Sequence, residues 1–100
     1  MRTAIIPHDY AGLARAIARR RFPVAWASIR EDLCQECELL AWEALHRGRI
    51  QVGHGKTRKV FGVGCKPGRL GIRPFMRAAY RRLYGACRNY GLGNYELRGQ

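Results

Sequence analysis

Ile29, Leu33, Cys37, Leu40 and Ala44 fall on one face when the chain is wound at about 100° per residue. Such a stripe, flanked by Ala41 and Leu45, has to be a helix with one buried side. Ser28-Ile29-Arg30-Glu31 reads as a capping box that opens it. The other side of the same helix carries Asp32, Gln35, Glu36, Leu39, Trp42 and Glu43. A tryptophan and a leucine framed by carboxylates, away from the core stripe, suit a docking surface for a basic partner. The competing arrangement is that the first helix, or Val24-Ala25-Trp26, folds over Trp42 and hides it.

Charge sharpens the contrast. Five of the seven acidic residues lie in the fifteen positions 31–45, yet the chain has a formal charge of +12. A negative island on so basic a chain implies two surfaces with different partners. Nucleic acid or an anionic membrane leads as the partner of the basic part. Arginine outnumbers lysine sixteen to three, which favours forked phosphate and base contacts. No apolar run approaches the roughly 18 residues a membrane span requires. Residues 1–9 hold too short an apolar stretch for a secretory signal, so a cytoplasmic protein without a membrane partner is expected.

Apolar residues make up 47% of the 100, enough for one small core. The expected fold is mainly α: a three-to-four-helix domain over residues 1–91, with a basic glycine-rich insert at 46–73 and a flexible tail at 92–100. The first helix spans residues 9 to about 21, capped by Asp9, with Tyr10, Leu13, Ala14 and Ile17 at helical spacing and Phe22-Pro23 as its end. Arg15, Arg19, Arg20 and Arg21 gather where they suit the helix dipole; a solvated helix end is their expected role, with contact to phosphate as the alternative. The last helix starts at Pro74 and ends near Gly91, with Met76, Ala79, Leu83, Cys87 and Tyr90 as its core stripe. Arg77, Arg81 and Arg88 form another face, with Tyr84 among them and Tyr80 at its border. Arginines interleaved with tyrosines supply cations for phosphates and rings for bases of a single-stranded or melted nucleic acid. A solvated face with partly buried rings is the plainer alternative.

The acid-free insert adds Lys56, Arg58 and Lys59 to the nucleic-acid candidates. Either residues 50–52 and 60–63 pair as a hairpin around a basic tip, or the insert orders on nucleic acid. Gly55-Lys56-Thr57 echoes the end of a phosphate-binding loop, but Ile50 stands where the first glycine is required, so nucleotide hydrolysis is rejected. Cys34 and Cys37 form a C-x-x-C, yet Cys65 and Cys87 lie twenty-two apart rather than as a second short pair. Small buried hydrophobes on a helix are the expected role, with no metal or cofactor, and a zinc-bound regulator is the rival. His8, His46 and His54 are scattered, and no sequence pattern suggests acid–base catalysis.

The order of these parts resembles conserved region two of bacterial sigma factors. A first helix leads to Asp32-Leu33-x-Gln35-Glu36 with Trp42-Glu43-Ala44-Leu45, then a variable linker, then Phe75-Met76-Arg77-Ala78-Ala79-Tyr80-Arg81-Arg82-Leu83. The similarity covers roughly residues 10–90 and is most specific in the acidic helix. It implies a non-enzymatic transcription factor. Positions matching Asp32, Gln35, Glu36 and Trp42, with Leu39 added by periodicity, would dock on a basic coiled coil in the clamp of the RNA polymerase core. The later helix would contact promoter DNA, melt the minus-ten element and hold flipped bases on aromatics. Three departures stand out. The tandem aromatics of many sigma factors fall on Arg81 and Arg82, leaving base capture to Tyr80 or Tyr84. The insert at 47–73 exceeds the usual linker. The length leaves no room for the helix-turn-helix domain, so a second chain would supply upstream promoter recognition, or a phage- or plasmid-encoded factor would redirect or inhibit host polymerase. A stand-alone DNA- or RNA-binding module is the alternative.

Overall fold

The computed structural model describes residues 9–91. The tail at 92–100, His8 and the first residues lie outside the described part.

Asp9 caps helix α1 (Tyr10–Arg21), accepting from the Gly12 amide at 3.0 Å on Oδ1. Phe22 ends the helix ahead of Pro23, as the steric conflict of a pre-proline residue requires. Pro23 then opens a short helix that the periodicity did not reveal, α2 (Pro23–Ser28). This corrects the capping box. Ser28 is already the last residue of α2, so its backbone is helical and unavailable as an extended cap. Ile29 (φ −129°, ψ 44°) is the joint instead, and α3 (Arg30–Arg47) starts without a side-chain cap. The Ile29 amide donates to Ala25 O at 2.6 Å and the Ile29 carbonyl accepts from the Leu33 amide at 3.0 Å, so few backbone groups are orphaned at the break.

Helix α3 buries Leu33, Cys37, Leu40, Ala41 and Ala44, the stripe expected from spacing. Ile29 is only half-buried, and Leu45, expected at its flank, is exposed. Gly48 closes the helix in the left-handed region (φ 70°). A Cβ there would come within 2.5 Å of Lys66 O, because the segment returning from the insert crosses the helix end.

The insert is a hairpin. Strand β1 (Ile50–Val52) pairs antiparallel with β2 (Lys59–Phe61), in the register Ile50↔Phe61, Gln51↔Val60 and Val52↔Lys59. Residues 53–58 form the tip, with one 3-10 turn at Gly55–Thr57. Alternation puts Ile50 and Phe61 inward on the helices, and Gln51 and Val60 outward.

Helix α4 (Ile72–Asn89) begins two residues before Pro74, which sits in the first turn where its missing N–H costs nothing. It buries Phe75, Ala78, Ala79, Leu83 and Cys87. Met76 and Tyr90, expected in the core, are 42% and 53% exposed. Phe75 takes the place given to Met76. Its ring lies 4.8 Å from that of Tyr10, whose hydroxyl donates to Leu70 O at 2.7 Å. The core thus lies between α1, α3 and α4. Fully buried Ala14, Ala18, Ala44, Ala78 and Ala79 are small enough for close helix approach.

Candidate functional site

Two surfaces stand apart on this frame. The first is the outward side of α3. Gln35, Leu39 and Trp42 line an open, mainly apolar groove of about 530 Å³, completed by Cys34 and Glu38. Leu39 is 52% exposed and Trp42 48%, so neither α1 nor α2 covers the tryptophan. Its own helix flanks it: the His46 ring lies 4.9 Å away and the Arg47 guanidinium 5.3 Å from the ring centre.

The rest of the acidic set is elsewhere. Glu36, expected on the docking face, points to α4, where Arg82 Nε and Nη2 reach its Oε2 at 2.8 and 2.6 Å. Arg82 Nη1 donates to Glu43 at 3.0 Å and to Gln51 O at 3.2 Å, tying α3, α4 and β1 together. The three side chains are only 16–23% exposed, so this is a partly buried network. Burial alone would lower the Arg82 pKa, but Glu36 and Glu43 outweigh it and raise it above the ordinary value. Asp32 is exposed but does not line the groove. It lies toward Tyr90 at the end of α4, whose phenol pKa it raises as hydrogen-bond acceptor and as charge. Glu38, which spacing did not select, stands at the groove with Arg15 at 4.0 Å, an exposed contact of little energetic weight.

The second surface is a basic groove of about 550 Å³ between α1, β2 and α4. It brings Lys59, Arg77, Tyr80 and Arg81 together and adds Arg21 as a fourth cation. Ile17, Phe61, Met76 and Tyr80 give it an apolar side, and no carboxylate lines it. Lys59 and Arg81 stand 5.3 and 5.9 Å from the Phe61 ring centre, holding charge over an aromatic floor. Tyr80 is half-buried, stacked on Phe22 with 5.3 Å between centroids. That fixes the ring but leaves part of it to the groove.

The remaining nucleic-acid candidates do not meet there. Lys56 is exposed on the hairpin tip, and Arg58 faces the outer side of the hairpin. Tyr84 packs against Phe22 at 6.4 Å, with Arg88 6.0 Å from its ring centre, outside the groove. Phe61 and Met76 were missed, and Arg21 was read as a solvated helix end rather than a phosphate contact, because they join the site only through the packing of α1 and the hairpin on α4. The pairing register around Phe61 was the one available signal.

Cys34 and Cys37 are split by the helix, Cys34 at the groove and Cys37 in the core. Among the described residues no three His, Cys, Asp or Glu side chains gather as a metal-holding group. Nor is any described helix long and apolar enough to cross a membrane.

Comparison with family models, with curated proteins and with solved structures found no match to this chain.

Proposed function

We propose that this chain is a sigma-like transcription factor. It docks on the clamp coiled coil of a bacterial RNA polymerase core through the α3 groove, and takes promoter DNA along the basic groove of α1, β2 and α4. It acts in the cytoplasm, without catalysis of its own. The observation that carries the reading is the half-exposed Leu39–Trp42 pair beside Gln35. It lies on the helix bearing the Asp-Leu-x-Gln-Glu pattern, opposite that helix's buried stripe. A large apolar pair with a sparse polar rim is the composition of an interface centre. The absence of carboxylates from the basic groove supports nucleic acid as its occupant.

The test is capture of polymerase core by the protein, repeated with Gln35→Ala plus Trp42→Ala. Capture should fall by at least about 30-fold, the scale of an interface hot spot, while affinity for free DNA holds. Loss of both together would mean that Trp42 serves the fold. Absence of capture by the unaltered protein, with strong salt-sensitive nucleic-acid binding, would leave the basic groove as the whole function. The charge lining that groove favours this second reading, a DNA- or RNA-binding module without polymerase contact.

A further inference from the structure

We infer that the outer face of the hairpin is a second nucleic-acid contact, one that grips the phosphate backbone of a duplex while the groove on the inner face holds a single strand. The inference rests on the nucleic-acid reading of that groove. Side chains alternate across the two-stranded ribbon, so Lys59 and Phe61 enter the inner groove while Arg58 and Val60 face outward. On the outer side, Arg47, Arg49 and Arg58 surround a depression of about 340 Å³. Its one acidic lining residue, Glu43, is engaged by Arg82 at 3.0 Å. None of the three arginines makes an ion pair among the described residues, and Arg49 and Arg58, unlike Arg47 beside the Trp42 ring, belong to the hairpin segment itself.

The two faces differ in kind. The inner groove offers rings, which single-stranded bases need. The outer depression offers guanidinium forks with Val60 and Val63 and no ring, which suits phosphates read without their bases. Arg58 and Lys59 are chain neighbours pointing to opposite faces, and Lys56 sits at the tip. Cations therefore stand on both faces of the hairpin and at its tip. Arg82 donates to Gln51 O at 3.2 Å, which ties β1 of the ribbon to α4.

Binding of the whole chain to a short duplex and to a single strand of equal length, titrated across salt, tests this. Arg49→Ala with Arg58→Ala should weaken duplex binding about ten-fold and reduce its salt slope by about 2, near 0.9 for each phosphate no longer neutralised. Single-strand binding should barely move. Arg49→Lys with Arg58→Lys should restore the slope. Unchanged duplex affinity and slope overturn the inference, as does an equal fall on both substrates; capture of an acidic peptide in place of the duplex would also overturn it. Arg77→Ala with Arg81→Ala addresses the groove separately. Failure there to weaken single-strand binding would sink the groove reading and leave the duplex result standing.

Discussion

Helices α3 and α4 are each 18 residues long and each buries five side chains, yet their outward faces are opposites. α3 shows Leu39 and Trp42 with a sparse acidic rim; α4 shows Arg77 and Arg81 with Met76. The difference teaches that charge clustered in sequence need not be charge clustered in space. Of the acids on α3, Glu36 and Glu43 are taken by Arg82 and Asp32 lies toward Tyr90. The negative island therefore shrinks largely to Glu31 and Glu38. The α3 groove is more apolar than the sequence suggests, and its acids are a rim rather than its substance.

Arg82 is where the two helices stop being opposites, and removing it should have the largest effect. Arg82→Ala leaves Glu36 and Glu43 partly buried without their counter-ion and frees Gln51 O. Loss of one partner from a buried pair costs about 3 kcal/mol or more. Urea denaturation should show that loss, and amide exchange should rise in Ile50–Val52, which Arg82 anchors. A change below about 1 kcal/mol would class the network with exposed ion pairs and remove its claim to position the hairpin.

A smaller effect should separate the carboxylates of α3 from one another. Glu36→Gln keeps size but weakens two charge-assisted bonds from Arg82, so it should destabilise by about 1–2 kcal/mol and barely touch polymerase capture. Glu38→Gln, at the groove, should leave stability within about 0.5 kcal/mol and lower capture modestly. Paired melts and pull-downs of the two variants read this directly. The reverse assignment would return Glu36 to the proposed docking surface.

What the sequence disclosed follows from the same physics. Periodicity placed Leu33, Cys37, Leu40 and Ala44 correctly, because a helix stripe depends only on local winding. It exposed Trp42 for the same reason. It misplaced Met76 and Tyr90, since Phe75 and Met76 stand about 100° apart and only the Tyr10 ring and Leu70 decide which turns inward. It assigned Ser28 to a cap, because a capping box and the end of a proline-initiated turn look alike in four residues. Arg82 was invisible as a clamp: its partners lie 46 and 39 residues away. The basic groove was half legible, as Lys59, Arg77, Tyr80 and Arg81 sit in obvious basic stretches. Arg21 joins them only once α1 packs on α4.

The smallest effect, absent at neutral pH, concerns the cysteines that α3 separates as it separates its acids. Burial, reinforced by nearby Cys34, pushes the Cys37 thiol up to about 12 from its ordinary 9.0. In the unfolded chain the thiol ionises first, so the native state holds one more proton across that window. Stability is therefore full below about pH 9 and falls as pH rises toward 12, by about 1 kcal/mol at pH 10. Tyr10, also raised by burial, adds to the decline with the same sign. Cys37→Ala, whatever its cost at pH 7, should flatten the alkaline limb without abolishing it. An alkaline limb as steep in Cys37→Ala as in the unaltered protein would mean that the Cys37 thiol is not held in the core of the folded chain.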